Sequence, residues 1–228
     1  MSVLLQTRGL TYRYPRREPV LDKVDFALHK GDRLALTGAN GAGKTTLFHL
    51  LVGLKKAKAG EIIAFGQTRR QEADFVEVRA RAGFLFQDPD DQLFCPTVLE
   101  DVAFGPLNLG KSQSEAIAIA QQTLAELGMA GFDDRITYQL SGGEKRMITL
   151  ACVLAMSPDV LLLDEPTNAL DSQARQRLIE TLQGLPQAMI IISHDDDFLA
   201  QLANRRLHLE SGKLTDPDAT PAPEALHG

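Results

Sequence analysis

Cysteine is scarce in this sequence. Cys95 and Cys152 stand alone among 228 residues, far apart and without C-x-x-C spacing. That excludes a disulfide framework and suits a reduced compartment with buried or inert thiols. Histidine offers no metal nest. His29, His49, His194, His208 and His227 are scattered, and no two share a ligand spacing. No apolar stretch is long enough for a membrane helix. Residues 1–8 lack the basic start and long apolar run of a signal peptide. Any membrane association is therefore expected to come through a partner. A basic excess is missing too: 24 Lys and Arg face 30 Asp and Glu, for a net charge of −6. That argues against nucleic acid as a partner. It leaves nucleotide binding open, which needs only local charge. No internal repeat is visible.

What is present is enough apolar material for a sizeable core, 44% of a chain that is long for one domain. One stretch organises it. Gly38-Ala39-Asn40-Gly41-Ala42-Gly43-Lys44-Thr45-Thr46 fits G-x-x-x-x-G-K-[ST]. An apolar-rich strand candidate, 33–37, precedes it, and a helix candidate, 46–52, follows. Strand, glycine-rich loop and helix are the context a phosphate-binding loop requires. Glycines let successive backbone N–H groups turn toward one anion, and the helix start adds positive potential. Lys44 supplies a point charge for the β- and γ-phosphates, and Thr45 offers a hydroxyl to Mg²⁺.

Elsewhere, residues 3–10 and 20–28 read as strands with Pro15 and Pro19 in the loop between them. Lys30-Gly31-Asp32 is a turn, and the basic run 55–58 reads as a solvated loop. Strands are predicted at 61–66 and 83–86, the latter ending at Gln87. Residues 97–140 change character: 115–127 has helical spacing and no strand pattern stands out, so a helical insertion is expected. A helix over 144–156 stops near Ser157-Pro158. Continuous apolar strands at 160–163 and 188–192 suit a buried parallel sheet. Helices at 172–182 and 195–203 alternate with them, and 206–210 and 213–215 flank the turn Ser211-Gly212. Alternation of strand and helix predicts an α/β fold with a mostly parallel sheet. The Pro- and Ala-rich tail, 216–228, reads as disordered.

Two more segments carry chemistry. The strand 160–163 runs into Asp164-Glu165. Ligands in such sheets sit at the carboxyl ends of strands. Asp164 can hold Mg²⁺ directly or through water, and Glu165 can polarise a water toward the γ-phosphate. A strand capped by exposed acids is the plainer alternative, and the phosphate loop counts against it. Ser141-Gly142-Gly143-Glu144 opens a helix. Ser141 and Glu144 have the spacing of a capping box, and the two glycines also make an anion site. Both readings can hold at once. One nucleotide seldom needs two phosphate cradles.

Residues 38–46, 140–144 and 161–171 together resemble the ATP-binding cassette (ABC) family, in the right order and over nearly the whole chain except the tail. The resemblance implies a P-loop NTPase core with an N-terminal antiparallel β-subdomain and an inserted helical subdomain, about 97–156, within an ATPase domain spanning 1–215. It implies ATP and Mg²⁺ as cofactors and a head-to-tail dimer, a homodimer or a heterodimer with a similar ATPase. On it, Ser141, Gly142 and Gly143 contact the partner's γ-phosphate. Gln87 matches the glutamine that senses Mg²⁺ and the attacking water; by itself it reads as a surface residue. Residues 168–171 match the loop that communicates across the dimer. His194 matches a switch histidine near the γ-phosphate, although a lone His after a strand is more often structural. Tyr14 aligns with the aromatic that stacks on adenine, with Tyr12 as runner-up. Glu144 departs from the usual Gln, and Lys145 and Arg146 are expected to offset its charge.

Residues 86–94, with Thr97-Val98 and 101–108, look like ATPases of energy-coupling-factor importers, which take up vitamins and transition metals. The Phe104-Gly105-Pro106-Leu107-Asn108 stretch and the short C-terminus lean toward the cobalt/nickel branch. The resemblance then implies transmembrane coupling and substrate-binding subunits as partners. It implies a peripheral place on the cytoplasmic face of the cell membrane. ABC ATPases that act on DNA or ribosomes usually carry coiled-coil insertions or tandem cassettes, and this chain has neither.

Overall fold

The computed structural model describes residues 2–16 and 18–217. Most of the tail predicted to be disordered lies outside these residues. The chain opens with β1 (Val3–Arg13) and β2 (Pro19–His29), then β3 (Arg33–Thr37) and α1 (Lys44–Leu51). Next come β4 (Ala59–Ala64), β5 (Gln67–Arg69), α2 (Phe75–Arg81) and β6 (Ala82–Leu85). Three helices follow: α3 (Val98–Asn108), α4 (Gln113–Glu126) and α5 (Gly142–Leu154). Then β7 (Val160–Asp164), α6 (Ser172–Gly184), β8 (Ala188–Ile192) and α7 (Asp196–Leu202) alternate. The hairpin β9 (Arg205–Glu210) and β10 (Lys213–Thr215) completes the order.

Two sheets result. One is antiparallel throughout, in the order β2-β1-β4-β5. The other runs β10-β9-β3-β8-β7-β6, parallel from β9 to β6 with β10 as an antiparallel edge. The expected fold class holds: a mostly parallel α/β sheet, an N-terminal antiparallel sheet, and helices inserted between β6 and β7.

Side chains alternate across a strand, so a strand buried on both faces serves two cores. Leu34, Leu36, Leu162, Ile190 and Ile192 face the core shared with the antiparallel sheet and α1. Ala35, Leu161, Leu163, Met189 and Ile191 face the core filled by α3 to α7. That is why 160–163 and 188–192 read as unbroken apolar runs rather than alternating ones.

Some elements escaped the sequence. β5 and α2 were not expected. The β4–β5 turn is made at Phe65 and Gly66, both at positive φ, and Phe65 is a residue type that does not announce such a turn. Helix α3 contains Pro106, which reads as a stop, yet the helix ends only two residues later. Its start carries a local signal that was not read. Thr97 and Glu100 form the same capping box as Ser141 and Glu144, and so do Ser112 and Glu115 at α4.

Candidate active site

Parallel strands bring their carboxyl ends to one edge of the sheet. Here that edge gathers the loop after β3, Gln87 after β6, Asp164 and Glu165 at β7, and His194 after β8. They surround a cleft of about 700 Å³. Tyr14, Asn40, Gly41, Gly43, Lys44, Thr45, Thr46, Gln87, Asp164, Glu165 and His194 all line it. Of the predicted site residues, Gly38, Ala39 and Ala42 do not line it, nor do Ser141, Gly142 and Gly143.

The loop's shape explains its glycines. Gly38 has φ +139°, and a Cβ there would overlap the Leu209 carbonyl. Gly43 has φ +110°, and a Cβ would come within 2.8 Å of the Val20 carbonyl. Gly43 also caps α1 without any side-chain hydrogen bond, and the first turn of α1 holds no acid. The N–H groups of that turn thus have no side-chain acceptor and point their positive end into the cleft. Lys44 is 7% exposed. Its ammonium donates to the carbonyls of Gly38 (2.6 Å) and Ala39 (3.1 Å). Burial pulls its pKa below the usual lysine value, opposed by Glu165 and Asp164.

The two carboxylates differ in setting. Asp164 is 1% exposed, and burial pushes its pKa up, against a hydrogen bond from the Thr45 hydroxyl and the charges of His49, Lys44 and Arg146. Its buried Oδ2 has no hydrogen-bond partner. An orphaned carboxylate oxygen beside a threonine hydroxyl fits a hard divalent cation. No cluster of three or more His, Cys, Asp or Glu capable of holding a metal occurs among the described residues, so phosphate and water must complete any Mg²⁺ shell. Glu165 sits at φ +45°, an uncommon conformation for a residue with a side chain. Its backbone N–H donates to Ile192 O (2.9 Å). Burial raises its pKa too, with His194 pulling the other way. His194 Nε2 lies 3.3 Å from Glu165 Oε1 and 2.7 Å from Asn40 Oδ1. The Asn40–His194 contact links the phosphate loop to β8 across 154 residues, and nothing local in the sequence signals it.

Tyr14 lies just past the end of β1, with its hydroxyl 3.0 Å from Thr46 Oγ1 and Lys55 over its ring at 5.2 Å. Tyr12 is still within β1, packs against the core shared by the antiparallel sheet and α1, and meets Tyr14 edge-on. Only Tyr14 of the two lines the cleft.

The second glycine pair begins α5. Ser141 Oγ donates to Glu144 Oε2 at 2.8 Å and accepts from Glu144 N–H at 3.3 Å, and Ser141 N–H donates to Glu144 Oε2 at 2.8 Å. These bonds, with Arg135 at 2.9 Å, hold the Glu144 carboxyl below its usual pKa. The expected offset by Lys145 and Arg146 is corrected here. Arg135 neutralises Glu144, Lys145 pairs with Asp90 at 2.6 Å, and Arg146 is buried under the loop after β6. Lys145 and Arg146 turn to other faces of the helix, so adjacency in sequence did not mean adjacency in space.

A separate groove of about 240 Å³ is bordered by Leu54, Phe94, Phe104 and Met156. Leu54, Phe94 and Phe104 are exposed. Asp101 lies in it, 3% exposed, with Oδ1 accepting from the N–H groups of Phe94 and Cys95 and Oδ2 unpartnered. Burial raises the Asp101 pKa.

A phosphate loop under a parallel sheet, facing an acid pair and a histidine, defines a P-loop ATPase. The chain belongs to the ABC transporter family, whose pattern it matches over residues 21–168. A Brucella suis chain, named among the ABC transporter ATP-binding proteins, is 56% identical over 86% of this chain and 81% of its own length. The energy-coupling factor transporter ATP-binding protein EcfA of Methanothermobacter thermautotrophicus is 41% identical over 92% of this chain and 69% of its own. The cobalt import ATP-binding protein CbiO of Rhodobacter capsulatus is 41% identical over 97% and 81%. The solved structure of CbiO1 from Clostridium perfringens, part of the ABC transporter complex CbiONQ, superposes with a TM-score of 0.83 at 31% identity, covering 94% of this chain and 88% of that one. This chain is accordingly an ATP-binding, ATP-hydrolysing subunit of an ABC transporter.

Proposed function

We propose that this chain is the motor of an energy-coupling-factor importer for a transition metal, cobalt or nickel, working peripherally on the cytoplasmic face of the cell membrane. The cargo rests on likeness to the CbiO proteins; vitamin uptake by the same type of motor is the alternative. The observation that carries the importer reading is the apolar groove with Asp101 buried in it, one carboxylate oxygen of which has no hydrogen-bond partner. No helix among the described residues is long and apolar enough to cross a membrane. A transporter subunit of this kind must pass its work to a membrane partner by contact. A helix of that partner, apolar on one face and carrying one cation, fits the exposed Phe94 and Phe104 and the buried acid. Asp101→Asn with Phe94→Ser should keep ATP hydrolysis by the isolated chain and abolish both co-purification with the membrane subunits and uptake of labelled cobalt. Normal uptake by that variant would remove the groove from the reading.

In the cleft, Lys44 and the amides of the loop hold the β- and γ-phosphates, and Tyr14 stacks on the adenine. Thr45, Asp164 and Gln87 would hold Mg²⁺, which when bound neutralises phosphate charge. Water attacks the γ-phosphorus in line, the bond to the bridging oxygen of ADP breaks, and Glu165 accepts the water's proton. His194, steadied by Asn40, orients Glu165. A raised pKa makes Glu165 a better proton acceptor than an ordinary glutamate. Ser141, Gly142 and Gly143, away from this cleft, serve the nucleotide of a second subunit. That subunit is another copy of this chain or a similar ATPase.

A further inference from the structure

Arg146 is 1% exposed, the largest side chain among the fully buried residues. A cation removed from water needs compensation. Its compensation is unusual. Nη1 donates to Phe86 O at 2.7 Å and Nη2 to Gln87 O at 2.6 Å. Both are backbone carbonyls, of the two consecutive residues that leave β6 for the cleft. Nε is buried without a partner. Burial pulls the guanidinium down to about 10, while Asp88 and Asp164 hold it up, so it stays charged near neutrality.

Further ties run beside it. Gln92 accepts from Phe86 N–H at 3.2 Å and donates to Thr149 O at 3.4 Å. Lys145 pairs with Asp90. The loop 86–92 is thus fastened to the first turns of α5 at several points, with Arg146 the buried one. The same helix is capped by Ser141. A rigid helix therefore joins the second glycine pair to the backbone of Gln87. A guanidinium presents two nitrogens in a fixed planar fork, one to each carbonyl, whereas a lysine at this position would have a single nitrogen on a flexible stem to share between them.

We propose that Arg146 is a positioning residue that clamps Phe86 and Gln87 to α5, so that engagement of Ser141–Gly143 by another subunit's nucleotide and placement of Gln87 in this subunit's own cleft are one event. The inference rests on the reading of Gln87 and Ser141 given above. It assigns to Arg146 a part in turnover separate from capture of ATP. The clamp holds the loop's backbone, and the Gln87 side chain does the work in the cleft.

The test uses the full chain and four variants: Arg146→Lys, Gln87→Ala, their double, and Gln92→Ala. ATP affinity is measured by calorimetry without Mg²⁺. Hydrolysis is measured at saturating ATP over a Mg²⁺ titration. Arg146→Lys should lower kcat about tenfold and raise the half-saturating Mg²⁺, while ATP affinity without Mg²⁺ stays within about twofold. Gln87→Ala should do the same, and the double variant should be no worse than Gln87→Ala, because the clamp acts only through Gln87. Gln92→Ala, which removes a neighbouring tie without disturbing a buried charge, should shift both quantities in the same direction by less. It carries the test if Arg146→Lys fails to fold. Wild-type kcat and Mg²⁺ requirement in Arg146→Lys, or in Gln92→Ala where that variant must serve, overturn the clamp. So does a double variant whose losses multiply. A wild-type Gln87→Ala would instead sink the reading of Gln87 and take the clamp with it.

Discussion

Two helices of this chain begin on glycines, and they are built differently. The first turn of α1 has no side-chain cap and no acid, and its Lys44 lies in a cleft with Asp164 and Glu165. The first turn of α5 is capped by Ser141, closed by Glu144 and balanced by Arg135. The one leaves its N–H groups for an external anion. The other satisfies its own end and stands away from the cleft. The glycines of α5 differ as well. A Cβ on Gly143 would meet Ala174 Cβ at 2.9 Å, so packing against α6 accounts for that glycine. A Cβ on Gly142 would meet nothing nearer than Ala169 O at 3.7 Å. Packing does not explain Gly142; on the proposed function, approach of a second subunit's phosphate would. A self-sufficient helix start is what a site needs if its ligand arrives on another molecule.

The largest expected effect lies on the α1 side. Glu165→Gln should keep ATP binding and lower turnover by about 10²–10⁴-fold, the range for losing a general base. Amide for carboxylate preserves size, so steady-state hydrolysis and ATP affinity measured together separate the two steps. Near wild-type hydrolysis removes Glu165 from the role.

On the α5 side the comparison is sharpened by exchanging each glycine for alanine. Gly142→Ala should leave thermal stability unchanged or raise it, by at most about 1 kcal/mol from helix propensity. It should nonetheless reduce ATP hydrolysis, because a methyl then stands where the second phosphate closes. Gly143→Ala should lower the melting temperature, since Ala174 must give way. If Gly142→Ala hydrolyses ATP normally, the α5 start is only a cap.

The smallest effect concerns the base. Tyr14→Ala should weaken ATP binding several-fold, on the order of 1 kcal/mol for a lost stacked ring, and Tyr12→Ala less. A greater loss of ATP affinity in Tyr12→Ala, with the fold intact, reverses the assignment.

The same contrast shows what a sequence can carry. The phosphate loop was legible because its chemistry is local: nine consecutive residues hold the glycines, the lysine and the threonine. The acid pair was legible because an apolar strand ends on it. The start of α5 was legible as a capping box; the boxes at Thr97 and Ser112, which open α3 and α4, went unread. Tyr14 was preferred to Tyr12 on the resemblance alone; that only Tyr14 of the two lines the cleft depends on where β1 stops. Asn40 against His194, Arg135 against Glu144 and Arg146 against the loop after β6 were not legible. Each joins side chains or backbone brought together only by the fold, and two of them contradicted the neighbour-based guess that Lys145 and Arg146 balance Glu144. The groove was hidden for the same reason, since its walls come from four separate stretches of chain.

The central claim is that the two glycine-headed helices complete one another across subunits. It is tested most directly by mixing two disabled chains. Lys44→Ala removes the phosphate cation, and Ser141→Arg fills the space above α5. In a head-to-tail pair made of one of each, one site carries both lesions and the other carries none. The account predicts that neither variant hydrolyses ATP alone and that the mixture regains part of the activity. Full hydrolysis by Ser141→Arg on its own would contradict it.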